Sequence, residues 1–304
     1  MQLLGSMRKT EEFADTYRDL ETRESSDILR TILGAQERGL AALKPAIPAI
    51  AAAADAAADC LRKHPAGRLI YAGAGTSARL GVQDGVELVP TFGWPEERLA
   101  YLIAGGPAAL THTAEGAEDN VEQAMNDARA LTLRAGDVCI SLSASGVTPY
   151  AISACNAART AGALTIGIAN NPDTPLLYSA DHAILMESGP EPIGGSTRMT
   201  AGTTQKVALN LFSTLTMIRM GRVYHGMMVD VIPSNAKLRK RAVRIVVVGA
   251  DTDESTARAA LETTDYHVKT AILVALGFNA DAADDLIETH HGDLHAILAV
   301  RGIE

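Results

Sequence analysis

The chain has 304 residues, 47% of them hydrophobic but only 4% aromatic, and a formal net charge of -9. That length carries one large domain or a domain with a small appendage, and the apolar content excludes a disordered chain. The acidic balance sets a nucleic-acid binder aside, yet leaves an anionic small ligand open, because N–H groups at a helix N-terminus hold phosphate without a basic surface.

The N-terminal MQLLGSMRKTEEF holds no apolar run of signal-peptide length. No stretch of about 18 apolar residues follows, so no membrane span is expected and a cytoplasmic location is. Residues 1–66 read as a helical segment. Ser25 or Ser26 caps a helix to about Leu43, Pro45 and Pro48 punctuate, and Ala49–His64 is a strong helix former. Cys60, Cys139 and Cys155 form no CxxC pair and are odd in number, which disfavours a disulfide framework or structural zinc and suits reduced thiols.

From Arg68 the pattern changes to short apolar runs beginning at Leu69, Leu99, Val138, Leu164 and His182, each followed by Gly/Ser-rich turns and mostly separated by helical stretches. Such runs indicate a parallel sheet covered on both faces. Five of them fit an α/β, doubly wound, flavodoxin-like sheet over residues 67–235, with ligands held beyond the carboxyl ends of the strands. After a basic stretch, Lys237–Arg241, residues 251–304 show three short amphipathic helical patterns. Asp253, Asn279 and Gly292-Asp293 supply their caps or breaks. Residues 236–304 thus read as a small C-terminal helical appendage.

Two loops carry chemistry. The first strand leads into Gly73-Ala-Gly75-Thr76-Ser77-Ala78-Arg79, where glycines admit a close ligand. A dinucleotide site would want an acid at the end of the second strand, and Ile103-Ala-Gly-Gly106 offers none. The third strand leads into Ser143-Ala-Ser145-Gly-Val-Thr148, where hydroxyls at a strand-to-helix junction make a phosphate cradle. Helix capping by Ser145 or Thr148 is the plainer alternative, and it needs only one hydroxyl.

Together these loops resemble the sugar isomerase (SIS) domain family. Tyr71–Gly81, Pro90-Thr-Phe92, Ala114–Asp119, Gly195-Ser-Thr-Arg-Met199, Ala201-Gly-Thr203 and Met228-Val-Asp-Val231, in that order, resemble the N-acetylmuramic acid 6-phosphate etherases over about residues 20–300. The resemblance implies loss of a D-lactyl ether from C3 of a sugar 6-phosphate. In that scheme the ring opens, the C2 proton leaves, lactate is eliminated and water adds, with no metal or redox cofactor. It places catalytic glutamates at Glu87 and Glu118. It implies substrate contacts from Gly75, Thr76, Ser77, Ser143, Ser145, Thr148, Glu191, Ser196 and Arg198, and a site at the interface of a homodimer that His291 approaches.

By residue pattern, Glu115 and Glu118 share a face if their segment is helical, and acid-rich helix starts are commonly just solvated. Glu87 has apolar sequence neighbours, so it is either half exposed or buried with a raised pKa, and the second setting suits a general acid. Arg198 suits the lactate carboxylate or, alternatively, an ion pair with Glu191. The chain departs from the family at Ala78, where glycine is usual, at Leu88-Val89, where Cys-Pro is usual, and at Thr200, where lysine is usual. Two other readings share this fold: a non-catalytic phosphosugar-binding regulator and a phosphosugar isomerase.

Overall fold

The computed structural model describes residues 8–300, so the leader expectation for the first seven residues lies outside them. Two helices lead: α1 (Ser25–Ala41) and α2 (Leu43–Lys63). Glu24, not a serine, occupies the α1 cap position, and α2 begins before the two prolines rather than after them. Pro45 falls in the first turn, where its missing N–H costs nothing. The pair is bent by 44°, and among the described residues no single helix is long and apolar enough to cross a membrane. The alanine-rich face of α2, from Ala46 through Ala53, Ala54 and Ala57 to Leu61, is buried.

Five parallel strands follow: β1 (Leu69–Gly73), β2 (Leu99–Ile103), β3 (Val138–Ser143), β4 (Leu164–Ala169) and β5 (His182–Leu185). Between them run α3 (Gly75–Phe92), α4 (Val121–Ala130), α5 (Pro149–Thr160) and the short α6 (Pro175–Ser179). The order β2-β1-β3-β4-β5 is the doubly wound, flavodoxin-like one expected from the sequence. Every residue of β1 and β3 is buried, which explains why these strands read as continuous apolar runs.

Beyond the sheet come α7 (Thr200–Arg219), the hairpin strands β6 (Val223–Tyr224) and β7 (Met227–Met228), and α8 (Ala236–Gly249), α9 (Glu254–Thr263), α10 (Val268–Ala275), α11 (Ala280–Thr289) and α12 (Leu294–Val300). Asp253, Asn279 and Asp293 accept backbone N–H groups at their helix starts, as their positions suggest. Among the described residues after 251 there are four helices rather than three. By packing, the chain divides into two units. One takes the described residues up to Gly85 and Glu97–Ser213; the other takes Val86–Glu96 and the described residues from Thr214. The second unit has its own core, centred on Val246, Leu261, Ile272 and Ile297.

The starts of β1 and β3 are joined by a buried ion pair. Arg68 Nη2 lies 2.6 Å from Asp137 Oδ2, and Asp137 Oδ1 accepts from both the Arg68 side chain and its backbone N–H at 3.1 Å. Asp137 is fully buried, so removing its carboxylate strands a guanidinium. Asp137→Ala should therefore cost about 3–5 kcal/mol of unfolding free energy, read as a lowered urea midpoint. A loss below about 1 kcal/mol would mean that the pair is not a fastener of the sheet.

Candidate functional site

β1 and β3 are adjacent and in register, Gly73 opposite Leu142, so their following loops emerge side by side at the carboxyl edge of the sheet. In the β3 loop the hydroxyls converge. Ser143 Oγ lies 2.8 Å from Thr148 Oγ1 and 3.2 Å from Ser145 Oγ, and it accepts the Gly146 N–H at 3.0 Å. Ser143 is buried, whereas Ser145 and Thr148 are half-buried. Gly146 has φ +73°, and a Cβ there would lie 2.3 Å from Thr174 Oγ1, so this turn admits glycine alone. Thr148 is the cap residue of α5, yet its side chain makes no capping bond. Capping by Thr148 is thus not realised, while Ser145 Oγ accepts the Val147 N–H at 3.3 Å just ahead of the helix.

A cleft of about 360 Å³ lies beside the first glycine loop. Ala74, Gly75 and Arg79 line it from one side, and Glu115 and Glu118 from the other. The two glutamates do not share a helix face. Gly116, at φ +70°, breaks the chain between them, and Glu118 sits in a single 3-10 turn, Ala117–Asp119, ahead of α4. They reach one cleft through this turn, not through i, i+3 spacing. Arg79 is held by the carbonyls of Ala109, Leu110 and His112, which fixes this wall.

Of the two settings open to Glu87 the buried one is not realised: it is exposed. Its apolar neighbours point elsewhere, for Leu88 turns into the core at 2% exposure and Val86 turns out at 53%. On a helix, adjacent residues lie about 100° apart, so an apolar sequence neighbourhood does not make an apolar environment. The alternative ion pair of Arg198 with Glu191 is not formed among the described residues: Glu191 is buried and accepts the N–H groups of Thr200 and Ala201, each at 2.8 Å, as a cap of α7, while Arg198 is exposed. Ser196 is half-buried in the same loop, and Thr76 half-buried beside Gly202. Thr200 is buried, its methyl fitting the side where α1 carries Gly39.

Ser77 is engaged in a buried polar chain. It donates to Gln205 Oε1 at 2.8 Å; Gln205 donates to Asn170 Oδ1 at 3.1 Å, and Asn170 to Thr204 Oγ1 at 2.8 Å. Asn170 and the next residue, Asn171, also hold the carbonyl of Ala144 in the hydroxyl loop. Sequence reasoning missed this support, although an Asn-Asn pair at the carboxyl end of a strand was a visible signal.

It also missed Asp84, whose place among small helical residues gave no sign of burial. Asp84 accepts from Tyr71 at 2.9 Å, Asn210 at 2.8 Å and Ser213 at 3.1 Å. Burial, the largest effect, raises its carboxyl above the usual range, against these hydrogen bonds and the Lys206 ammonium, which lower it. Among the described residues no three His, Cys, Asp or Glu side chains gather as metal ligands.

Fold and loops together define a SIS-domain protein. The chain matches the "Glucokinase regulatory protein N-terminal SIS domain" over residues 52–159 and the "SIS domain" over residues 110–215. It is 44% identical over 292 residues to the N-acetylmuramic acid 6-phosphate etherase of Deinococcus radiodurans, covering 96% of this chain and 95% of that protein. It is 46% identical over 291 residues to that of Streptomyces avermitilis, covering 95% and 93%, and 48% identical over 258 residues to that of Yersinia pestis, covering 84% and 87%. This chain belongs to the N-acetylmuramic acid 6-phosphate etherase family.

Because the folded value for Asp84 lies above the unfolded one, its ionisation works against folding. The stability tied to the protonated form is present below about pH 4 and is lost as pH rises through the folded value. Asp84→Asn should accordingly raise the melting temperature at pH 7.5, with the gain vanishing near pH 4. Equal effects at both pH values would show that the carboxyl does not titrate as burial dictates.

Proposed function

We propose that this chain cleaves the D-lactyl ether of N-acetylmuramic acid 6-phosphate to give N-acetylglucosamine 6-phosphate and D-lactate, as a lyase of amino-sugar and cell-wall sugar recycling. The observation that carries this is the convergence of Ser143, Ser145 and Thr148 at an uncapped helix start, in a chain 44–48% identical to etherases. The phosphate sits against those hydroxyls and the first N–H groups of α5. Gly75 and Thr76 border the sugar, while Ser77, tied to Gln205, sets the shape of their loop. Ser196 and the exposed Arg198 take the lactyl carboxylate, and Glu191 serves them by capping α7.

The chemistry needs two proton transfers of opposite sense. The C1 aldehyde of the opened sugar acidifies the C2 proton, which a base removes; the lactate oxygen leaving C3 takes a proton from an acid. Glu118 is assigned as the base, because it lines the cleft beside the Gly75 loop in the unit that carries the phosphate cradle. Glu87, on the last turns of α3, is then the acid. Exposed Phe13, Leu29, Leu33 and Ile193, with a cleft of about 610 Å³ beside Phe13 and Ile193, support a homodimer, and three free thiols support a cytoplasmic setting.

Incubation with N-acetylmuramic acid 6-phosphate should release D-lactate; binding without release would leave a regulator, and isomerised sugar without release an isomerase. Ser145→Ala should weaken sugar 6-phosphate binding by about 1.5–3 kcal/mol while sparing the unphosphorylated sugar. Equal affinity of the wild-type protein for the two ligands would sink the cradle. Glu118→Gln should lose both C2 proton exchange with deuterated water and lactate release, each by about 10²- to 10⁴-fold. Glu87→Gln should lose release and keep exchange, and the opposite pattern would reverse the roles.

A further inference from the structure

Three motifs of the sequence have no part in the chemistry above: Pro90-Thr-Phe92, Met228-Val-Asp-Val231 and the His291-Gly-Asp293 segment. Within the C-terminal unit they meet at one cluster of charges. Arg222 Nη1 donates to the carbonyls of Phe92 at 2.6 Å and Gly93 at 3.0 Å, which end α3. Its guanidinium also lies 5.2 Å from the ring centre of Trp94, which is fully buried. Asp230 Oδ2 lies 2.7 Å from the buried Lys269 Nζ and 3.8 Å from Arg222 Nη1.

The backbone is fitted as closely as the charges. Gly93, at φ +60°, returns its N–H to Val89 and closes α3, and a Cβ on it would lie 2.3 Å from the carbonyl oxygen of Asp230. A Cβ on Gly292 would lie 2.6 Å from Lys269 Nζ. Burial lowers both Lys269 and Arg222, and Asp230 opposes that lowering in each. Asp230 is therefore the counter-charge that lets two cations sit together at the end of α3.

We propose that Asp230 is a positioning residue for Glu87, acting through Arg222 and the Phe92–Trp94 turn. The inference rests on the reading of Glu87 as the acid. Glu87 precedes Phe92 by about 7.5 Å of helix, a span too short and stiff to absorb a shift at its end. Without Asp230 the guanidinium and ammonium repel, the two carbonyls lose a fixed donor, and the last turns of α3 rotate. A misplacement of about 1 Å at an acid costs on the order of 10²-fold in rate while leaving distant binding contacts intact.

The test is Asp230→Asn, followed by D-lactate release, C2 exchange and the fluorescence of Trp94, the single tryptophan of the chain. Release should fall roughly 10- to 100-fold in kcat with KM within about twofold, because the contact is felt in the transition state. C2 exchange, which Glu118 performs, should keep its rate. Trp94 emission should shift red and become open to acrylamide, and Asp230→Glu should recover part of the release. Unchanged release, or release and exchange falling together, would overturn the proposal. Glu87→Gln is run beside it: if that variant still releases lactate, the acid reading itself fails; if it does not and Asp230→Asn does so normally, only the positioning role fails. Should Asp230→Asn not fold, Arg222→Lys keeps the charge, loses the planar fork and is judged by the same readouts.

Discussion

The pairing of β1 with β3 is the constraint on which the site depends. The strands are parallel, adjacent and in register, and the buried Arg68–Asp137 pair fastens their starts. Their ends are thereby fixed as well, since a parallel ladder leaves no freedom to slide without exposing buried side chains. The Gly75 loop and the hydroxyl loop leave the sheet from neighbouring strand ends because of this pairing. A doubly wound sheet offers this edge to any ligand; what makes it a phosphosugar edge is the chemistry of the two loops.

The acids discussed above divide by environment. Asp84, Asp137 and Glu191 are buried, and each is saturated by donors: two hydroxyls and an amide, an arginine with backbone N–H groups, or the two leading N–H groups of α7. Such carboxylates cannot turn to a substrate without leaving buried donors unpaired, which costs more than most ligands return. Glu87 and Glu118 are exposed, and no hydrogen-bond partner holds either side chain among the described residues. An exposed acid can be presented to a substrate, but its direction must be set by the backbone that carries it. The left-handed turn at Gly116 precedes Glu118, and the Arg222 contacts at the end of α3 follow Glu87, so each proposed acid or base stands next to a fixed piece of backbone.

How much of this was legible follows from what sequence patterns measure. The five strands were visible because buried parallel strands are continuous apolar runs, and the hydroxyl loop because three hydroxyls exceed what a cap needs. The caps Asp253 and Asn279 were visible because capping is local. What failed was environment. Glu87 looked open to burial because Val86 and Leu88 flank it, but helical periodicity sends those side chains to other faces. Asp84 looked ordinary because its donors, Asn210 and Ser213, lie far along the chain. Glu191 offered Arg198 as a sequence neighbour, whereas its partners are backbone N–H groups that no residue pattern displays. Long-range polar partnership is a property of the folded chain, and it sets the environment of Asp84 and Glu191.

The helix starts show how the same residue types are put to different use. Asn120, Asn235, Asp253 and Asn279 each accept a backbone N–H from the helix that they begin. Thr148 and Thr174, also good capping residues, do not. Both threonines border the hydroxyl loop: Thr148 is bonded to Ser143, and Thr174 is pressed against Gly146. Forgoing a cap sacrifices about 1 kcal/mol of helix stability. At α5 the uncapped start lies beside the three hydroxyls of Ser143, Ser145 and Thr148, the arrangement on which the proposed phosphate site rests. The chain thus caps α4, α8, α9 and α11 with its own Asn and Asp side chains and leaves the starts of α5 and α6, the two that border the hydroxyl loop, without a side-chain cap.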